Sequence, residues 1–265
     1  MALTPADGSG ADGTGTVVLR IVLSSIVFLV LTLLTQIGGV LWLLSLVFRQ
    51  KMLAFIALYA ASLVVVPQVA PLLGRVQISC LEKSSLEFAS PMYCLLHRNY
   101  VTPELKDVLT DTSQKTADAF PNTVTVVLDA NFPFWDGFPL LPHLSHNDGE
   151  KVDLAYFYAD EKGKFLNRST KSPIGYFAFE QGHTHCEPQW PTLRWDMEGI
   201  QSYFPTWPLE PRRNRFLIQT LMNDQRVSKI FVEPHLLEKL DLSHPKLRFQ
   251  GCRAARHDDH IHFQL

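Results

Sequence analysis

The chain has 265 residues, and 24 Lys+Arg against 26 Asp+Glu leave a net charge of −2. No basic block or aromatic–basic interleaving breaks that balance, which excludes an electrostatic nucleic-acid binder. The length allows one or two domains with a proper core, and the mean hydropathy of +0.04, high for a soluble enzyme, comes from apolar residues concentrated in the first third.

Residues 1–16, MALTPADGSGADGTGT, are small, weakly acidic and free of aromatics, and read as a disordered leader. Val17 to Phe48 is then almost wholly apolar, with Arg20 near its start and Thr35-Gln36-Ile37-Gly38-Gly39 in its middle. Arg49-Gln50-Lys51 separates it from a second apolar run, Met52 to Leu73, closed by Gly74-Arg75. Each run supplies the ~20 helical residues that cross a hydrocarbon layer of ~30 Å. Residues 17–75 are therefore expected to form a two-span transmembrane hairpin in contact with lipid. A signal peptide has a shorter apolar core of ~7–15 residues with basic residues in front, and here no Lys or Arg precedes Arg20. A buried hairpin in a soluble core is the other reading, but two adjacent runs this long are rare there. Arg49 and Lys51 place the connecting loop in the cytoplasm, with both termini, and residues 76–265 as a separate domain, outside the membrane.

The cysteines fit that placement. Cys80, Cys94, Cys186 and Cys252 all follow the spans, and an even number suits bridges in an oxidising compartment. Among the possible pairings, Cys80–Cys94 as a local loop and Cys186–Cys252 as a long-range staple are expected. There is no CxxC, which argues against a zinc knuckle or a thioredoxin-type site.

Within 76–265, the first stretch to residue 122 reads as irregular to helical, with a capped helix from Thr102-Pro103-Glu104 to Ala119. The β-branched run Thr123–Leu128 predicts a strand. A loop rich in Phe, Trp, Gly and Pro follows, from Asn131 to Pro142. Further strands are expected at Val152–Tyr158, Tyr176–Phe179, Val227–Val232, Leu247–Gln250 and Ile261–Gln264. Helices are expected at Ile200–Tyr203, Arg213–Asn223 and Pro234–Lys239. Strands and helices without regular βαβ alternation indicate an α+β domain around a central antiparallel sheet.

Two segments carry chemistry. In Pro142-His-Leu-Ser-His-Asn-Asp-Gly-Glu-Lys-Val-Asp153, a turn through Gly149 would fold His146 back beside Asp153. An imidazole and a carboxylate are two ligands for a borderline metal, and catalytic zinc usually takes three. The third can come from His257-Asp-Asp-His-Ile-His-Phe263. Alternate residues of a strand share a face, so His260 and His262 point together while Ile261 faces the core. Asp258 and Asp259 read as solvated or capping residues, or as carboxylates that orient a histidine through its other nitrogen. His183-Thr-His185-Cys186 has the same alternation without a spaced carboxylate, and reads as a decoy. Trp190, Trp195, Tyr203 and Trp207 could line a groove, but aromatics in this number are more often core.

Ser145-His146-x-x-Gly149-x-x-x-Asp153 with a distant His260-x-His262 resembles the lysostaphin/D-alanyl-D-alanine metallopeptidase superfamily, and within it the penicillin-insensitive murein endopeptidases. His143, three residues before the first ligand, and the His257-x-x-His260-x-His262 run match their pattern. The resemblance covers roughly residues 123–265. It implies Zn²⁺ held by His146, Asp153 and His262, with His260 as the catalytic histidine. His257 would be a second active-site histidine that binds substrate or stabilises an oxyanion, and His143 a supporting or substrate-side residue. The implied protein is a zinc metallopeptidase in the bacterial cytoplasmic membrane, its domain extracytoplasmic, cutting a cross-link amide of peptidoglycan stem peptides that involves D-alanine. The alternatives are a D,D- or L,D-carboxypeptidase that trims stem peptides, or a non-catalytic wall-binding or regulatory module. The Gly-rich segment that those endopeptidases carry before the first ligand is replaced here by the aromatic loop Asn131–Leu141, which bears on substrate choice. No HExxH is present, so a histidine has to serve as the base.

Overall fold

The computed structural model describes residues 10–172, 175, 178–180, 182, 186 and 198–265. The expected strand at Tyr176–Phe179 lies in part outside these residues, and His183, His185, Trp190 and Trp195 lie wholly outside them. The chain divides into two units, Met1–Val65 and Val66–Leu265.

In the first unit, helix α1 spans Gly10–Thr35. It begins earlier than the composition suggested, so residues 10–16, expected in an irregular leader, are helical. The first apolar run is not one continuous helix. It breaks at Gln36, which adopts φ 66°, and resumes as the short helix α2, Gly38–Ser45. The break uses the small and polar residues in the middle of the run. The Thr35 hydroxyl accepts from Gly38 N at 2.8 Å, which satisfies a donor at the new helix start. A Cβ on Gly39 would lie 1.9 Å from Thr32 Oγ1 and 2.6 Å from the Phe28 carbonyl. Only glycine therefore lets α2 fold back this closely on α1. Trp42 Nε1 donates to Ser24 Oγ at 3.0 Å across the pair.

Helix α3 follows, Lys51–Val69. Phe55 packs edge-on against Trp42, with ring centroids 5.8 Å apart. Lys51 lines the same groove as Arg20, Ser24 and Leu46. This corrects the expected hairpin, whose basic loop was placed at the opposite end of the first helix from Arg20. The short α2 returns the chain, so the cations gather at one end. The segments Gly15–Thr35 and Lys51–Leu73 are each long and apolar enough to cross a membrane.

The second unit is built on a six-stranded sheet. Its strands are β1 (Leu86–Phe88), β2 (Thr125–Asp129), β3 (Lys151–Ala155), β4 (Lys229–Phe231), β5 (Leu247–Arg248) and β6 (His260–Gln264), in the order β1-β2-β3-β6-β4-β5. The four inner strands are antiparallel, as expected, but each edge strand pairs parallel with its neighbour. Helix α4, Pro103–Ala119, is capped by Thr102, whose hydroxyl accepts from Leu105 N at 3.3 Å. Helix α5, Pro211–Asn223, is capped by the Glu210 carboxylate, which accepts from Arg213 N. Leu105, Val108 and Leu109 of α4 and Leu217, Ile218 and Leu221 of α5 form one core with Val152, Leu154, Ile261 and Phe263 of the central strands. A further short helix, α6, covers Pro234–Lys239.

Strand β3 ends earlier than the apolar run Val152–Tyr158 suggested. Asn214 of α5 takes both backbone groups of Phe157, accepting its N–H at 2.9 Å and donating to its carbonyl at 2.7 Å. That diverts the chain from the ladder, and Tyr158–Ala159 pairs instead with Phe165–Leu166. Ile200–Tyr203 falls in a 3₁₀ turn, Glu198–Tyr203, rather than an α-helix. Trp207 packs against the core, while Tyr203 is exposed. Cys80 pairs with Cys94 and Cys186 with Cys252.

Candidate metal centre

The alternation of β3 and β6 decides which side chains meet. In the antiparallel register His262 lies opposite Asp153 and His260 opposite Ala155. Val152, Leu154, Ile261 and Phe263 fill the helix-covered face, so Asp153, His260 and His262 share the other. The turn that delivers His146 runs through Gly149 at φ +82°, where a Cβ would lie 2.4 Å from the Arg75 guanidinium. The left-handed backbone conformation therefore favours glycine here.

Three atoms converge. His146 Nε2 is 3.1 Å from Asp153 Oδ1 and 3.1 Å from His262 Nδ1, and His262 Nδ1 is 2.8 Å from Asp153 Oδ1. A tetrahedral ion with bonds of about 2.0–2.1 Å sets its ligand atoms roughly 3.3 Å apart, and this triangle is only slightly tighter. His143, His146 and Asp153 also form a buried group whose ligand atoms all lie within 4.8 Å of one another, so the residues of either grouping could hold a metal ion. The triangle with His262 is the tighter set and makes the better cage. In it, the His146 Nδ1–H donates to the Ala130 carbonyl at 2.8 Å, which turns the lone pair of Nε2 inward.

Burial and charge set the remaining protonation states. Burial alone would raise the Asp153 carboxyl, but His146, His260 and His143 around it hold it well below the usual carboxylate range. Burial pushes His262 down to about 4, against the opposing pull of Asp153. His260 Nδ1–H donates to Asp259 Oδ1 at 2.6 Å and to the Gly175 carbonyl at 2.9 Å. Its Nε2 faces the triangle, 3.8 Å from Asp153 Oδ1. Burial lowers its proton affinity, but Asp153 and Asp259 outweigh that and leave His260 raised. His257, under burial and the repulsion of His260 and His262, is held well below its ordinary value.

All five histidines named from the sequence, His143, His146, His257, His260 and His262, come together with Asp153 around one cavity of about 150 Å³, which Pro142, Leu144, Gln250 and Ala254 also line. Asp258 and Asp259 are not solvated. Both are buried, Asp259 against His260 and Asp258 in a bidentate pair with Arg256. Sequence reasoning missed Asp129 and Arg98. Asp129 Oδ2 lies 3.0 Å from His143 Nδ1, and Arg98 grips both oxygens of Asp129. Asp129 has no motif around it, and its signal would have been a carboxylate ending a run of five buried strand residues. No protein-family model matches the chain, and no curated protein matches it.

Proposed function

We propose that this chain is a membrane-anchored zinc peptidase, related to the murein endopeptidases it resembles, that hydrolyses a cross-link amide involving D-alanine in peptidoglycan peptides. The observation that carries the reading is the triangle of His146 Nε2, Asp153 Oδ1 and His262 Nδ1 with His260 Nε2 beside it. Two imidazole nitrogens and one carboxylate oxygen suit zinc and leave a fourth position free for water. Zinc, when bound, supplies a water acidified toward neutrality and a Lewis acid for the scissile carbonyl.

The protein's own residues do the rest. The Nδ1–H bond to Asp259 fixes the His260 ring and leaves Nε2 as the acceptor. Nε2 takes a proton from the attacking water and returns it to the leaving nitrogen, so amide and water become acid and amine. His257, kept neutral, faces the same cavity and offers an N–H to the substrate carbonyl.

Arg20 and Lys51 at one end of the first unit, with Arg49 close by in sequence, support a cytoplasmic placement of that end. The start of α1 then lies inside, and α3 carries the chain out to an extracytoplasmic domain, where its two disulfides persist.

The test is zinc content and hydrolysis of cross-linked muropeptides, wild type against His262→Ala. About one zinc per chain, lost in the variant together with cleavage, is the expected result. A wild type that binds no metal removes the basis of the proposal. Zinc retained without hydrolysis points to the non-catalytic module, and release of only terminal D-alanine to a carboxypeptidase.

A further inference from the structure

The end of strand β2 grips the metal-site loop through three consecutive residues. Asp129 meets His143, the Ala130 carbonyl accepts from His146, and Asn131 Oδ1 accepts from Gly149 N at 3.1 Å. Of these, Asp129 is tied furthest into the molecule. Its Oδ1 accepts from Arg98 Nε at 3.1 Å and from Ala130 N at 3.1 Å. Its Oδ2 takes Arg98 Nη2 and lies 3.0 Å from His143 Nδ1. The same His143 nitrogen lies 2.7 Å from Asp153 Oδ2. Arg98 also donates from Nη1 to the Leu141 carbonyl at 2.7 Å, two residues before His143. The His143 ring in turn stacks on His260, with centroids 5.8 Å apart and planes 19° apart.

We infer that Arg98 and Asp129 are positioning residues for the metal centre, acting through His143 on Asp153. The inference rests on the zinc reading above. His143 Nδ1 faces Asp153 Oδ2 at ion-pair distance, while Oδ1 joins the triangle. The carboxylate is thereby held to one-oxygen coordination, the geometry that keeps a small ion four-coordinate with one place for water. Without the bridge, Asp153 is free to rotate and offer both oxygens. Arg98 holds the two supports of His143 at once, the carboxylate and the incoming backbone. A guanidinium suits this because its planar fork donates in several fixed directions. The assignment brings the segment before residue 123 into the site, since Arg98 lies outside the stretch that carries the family resemblance.

The test uses the full chain in detergent, comparing wild type, Asp129→Asn, His143→Gln and the double variant. Asp129→Asn preserves shape but turns one acceptor oxygen into an amide donor facing Arg98 and His143, and circular dichroism confirms that each variant folds. Zinc affinity is read by chelator competition, and coordination number from the visible spectrum of the cobalt-substituted protein. Asp129→Asn should weaken zinc about 10–100-fold, the usual scale for residues that orient ligands. It should also convert the intense four-coordinate cobalt bands into weaker ones of higher coordination. His143→Gln should match it, and the double variant should be no worse than either single. Wild-type affinity and an unchanged cobalt spectrum in Asp129→Asn would overturn the inference and leave the zinc reading intact. Complete loss of metal in His143→Gln alone would overturn it too, by making His143 a ligand. A wild type that binds no metal removes the zinc reading and this inference together.

Discussion

The two faces of strands β3 and β6 are equally buried and chemically opposite. Val152, Leu154, Ile261 and Phe263 on one face have no exposed surface, and Asp153, His260 and His262 on the other have at most 3%. On the first face burial is itself the driving force, worth about 1.5–3 kcal/mol for each large side chain. On the second face burial is a cost, recovered only if each charge has a partner. Burial therefore does not separate scaffold from site in this domain. What separates them is whether a neighbour is needed, and for Asp153 the neighbours are His143, His146 and His262.

Adjacent residues allow that contrast to be broken one face at a time. Asp153→Ala should abolish metal binding and reduce hydrolysis by roughly 10³-fold or more, an estimate built on the loss of one of three ligands. Leu154→Ala should instead cost about 2–5 kcal/mol of stability while the zinc stoichiometry stays at one. Metal analysis and denaturant midpoints on the two variants settle this, and metal loss in Leu154→Ala would show that the faces are not independent. A finer cut is Asp259→Asn, which should lower turnover about 10–100-fold with zinc content unchanged, because it frees the His260 ring without touching the triangle.

The smallest effect is in the pH dependence of the metal-free protein. Burial would lower His143, but the carboxylates of Asp153 and Asp129 win and raise it to about 9. A folded value above the unfolded one of ~6.5 means that the stabilisation is complete below pH 6.5 and is lost as pH rises through about 9. Urea midpoints after chelation should fall across that window, and His143→Gln should flatten the fall. A variant that keeps the wild-type slope would assign the titration to another group.

How much of this was legible follows from the range of each signal. The period of two in His260-Ile261-His262-Phe263 fixed the facing of β6, and Gly149 marked the turn between His146 and Asp153. The caps Thr102 and Pro103 located α4. These are local signals, readable within a dozen residues. Arg98 and Asp129 are joined across a sequence separation of 31, with nothing nearby to single them out from other charges. Asp258 and Asp259 read either as solvated, as charged residues usually are, or as orienting a histidine, and only the fold decides, seating Asp259 on His260 and Asp258 on Arg256. The break at Gln36 was visible as polar and small residues inside an apolar run, but the return of α2 depends on Thr32 and Phe28 leaving room that only Gly39 uses. The edge strand β1 is three residues long, too short to show a period.

A cage whose three donor atoms lie within 3.1 Å of one another also ties the protein's lifetime to its surroundings. An ion bound only by the folded state adds stability that grows with its concentration, about 2.7 kcal/mol at a hundredfold excess over Kd. Under metal starvation that increment would disappear and the opened fraction would rise. On the proposed reading, activity would then be rationed by supply, with fewer folded copies where the ion is scarce.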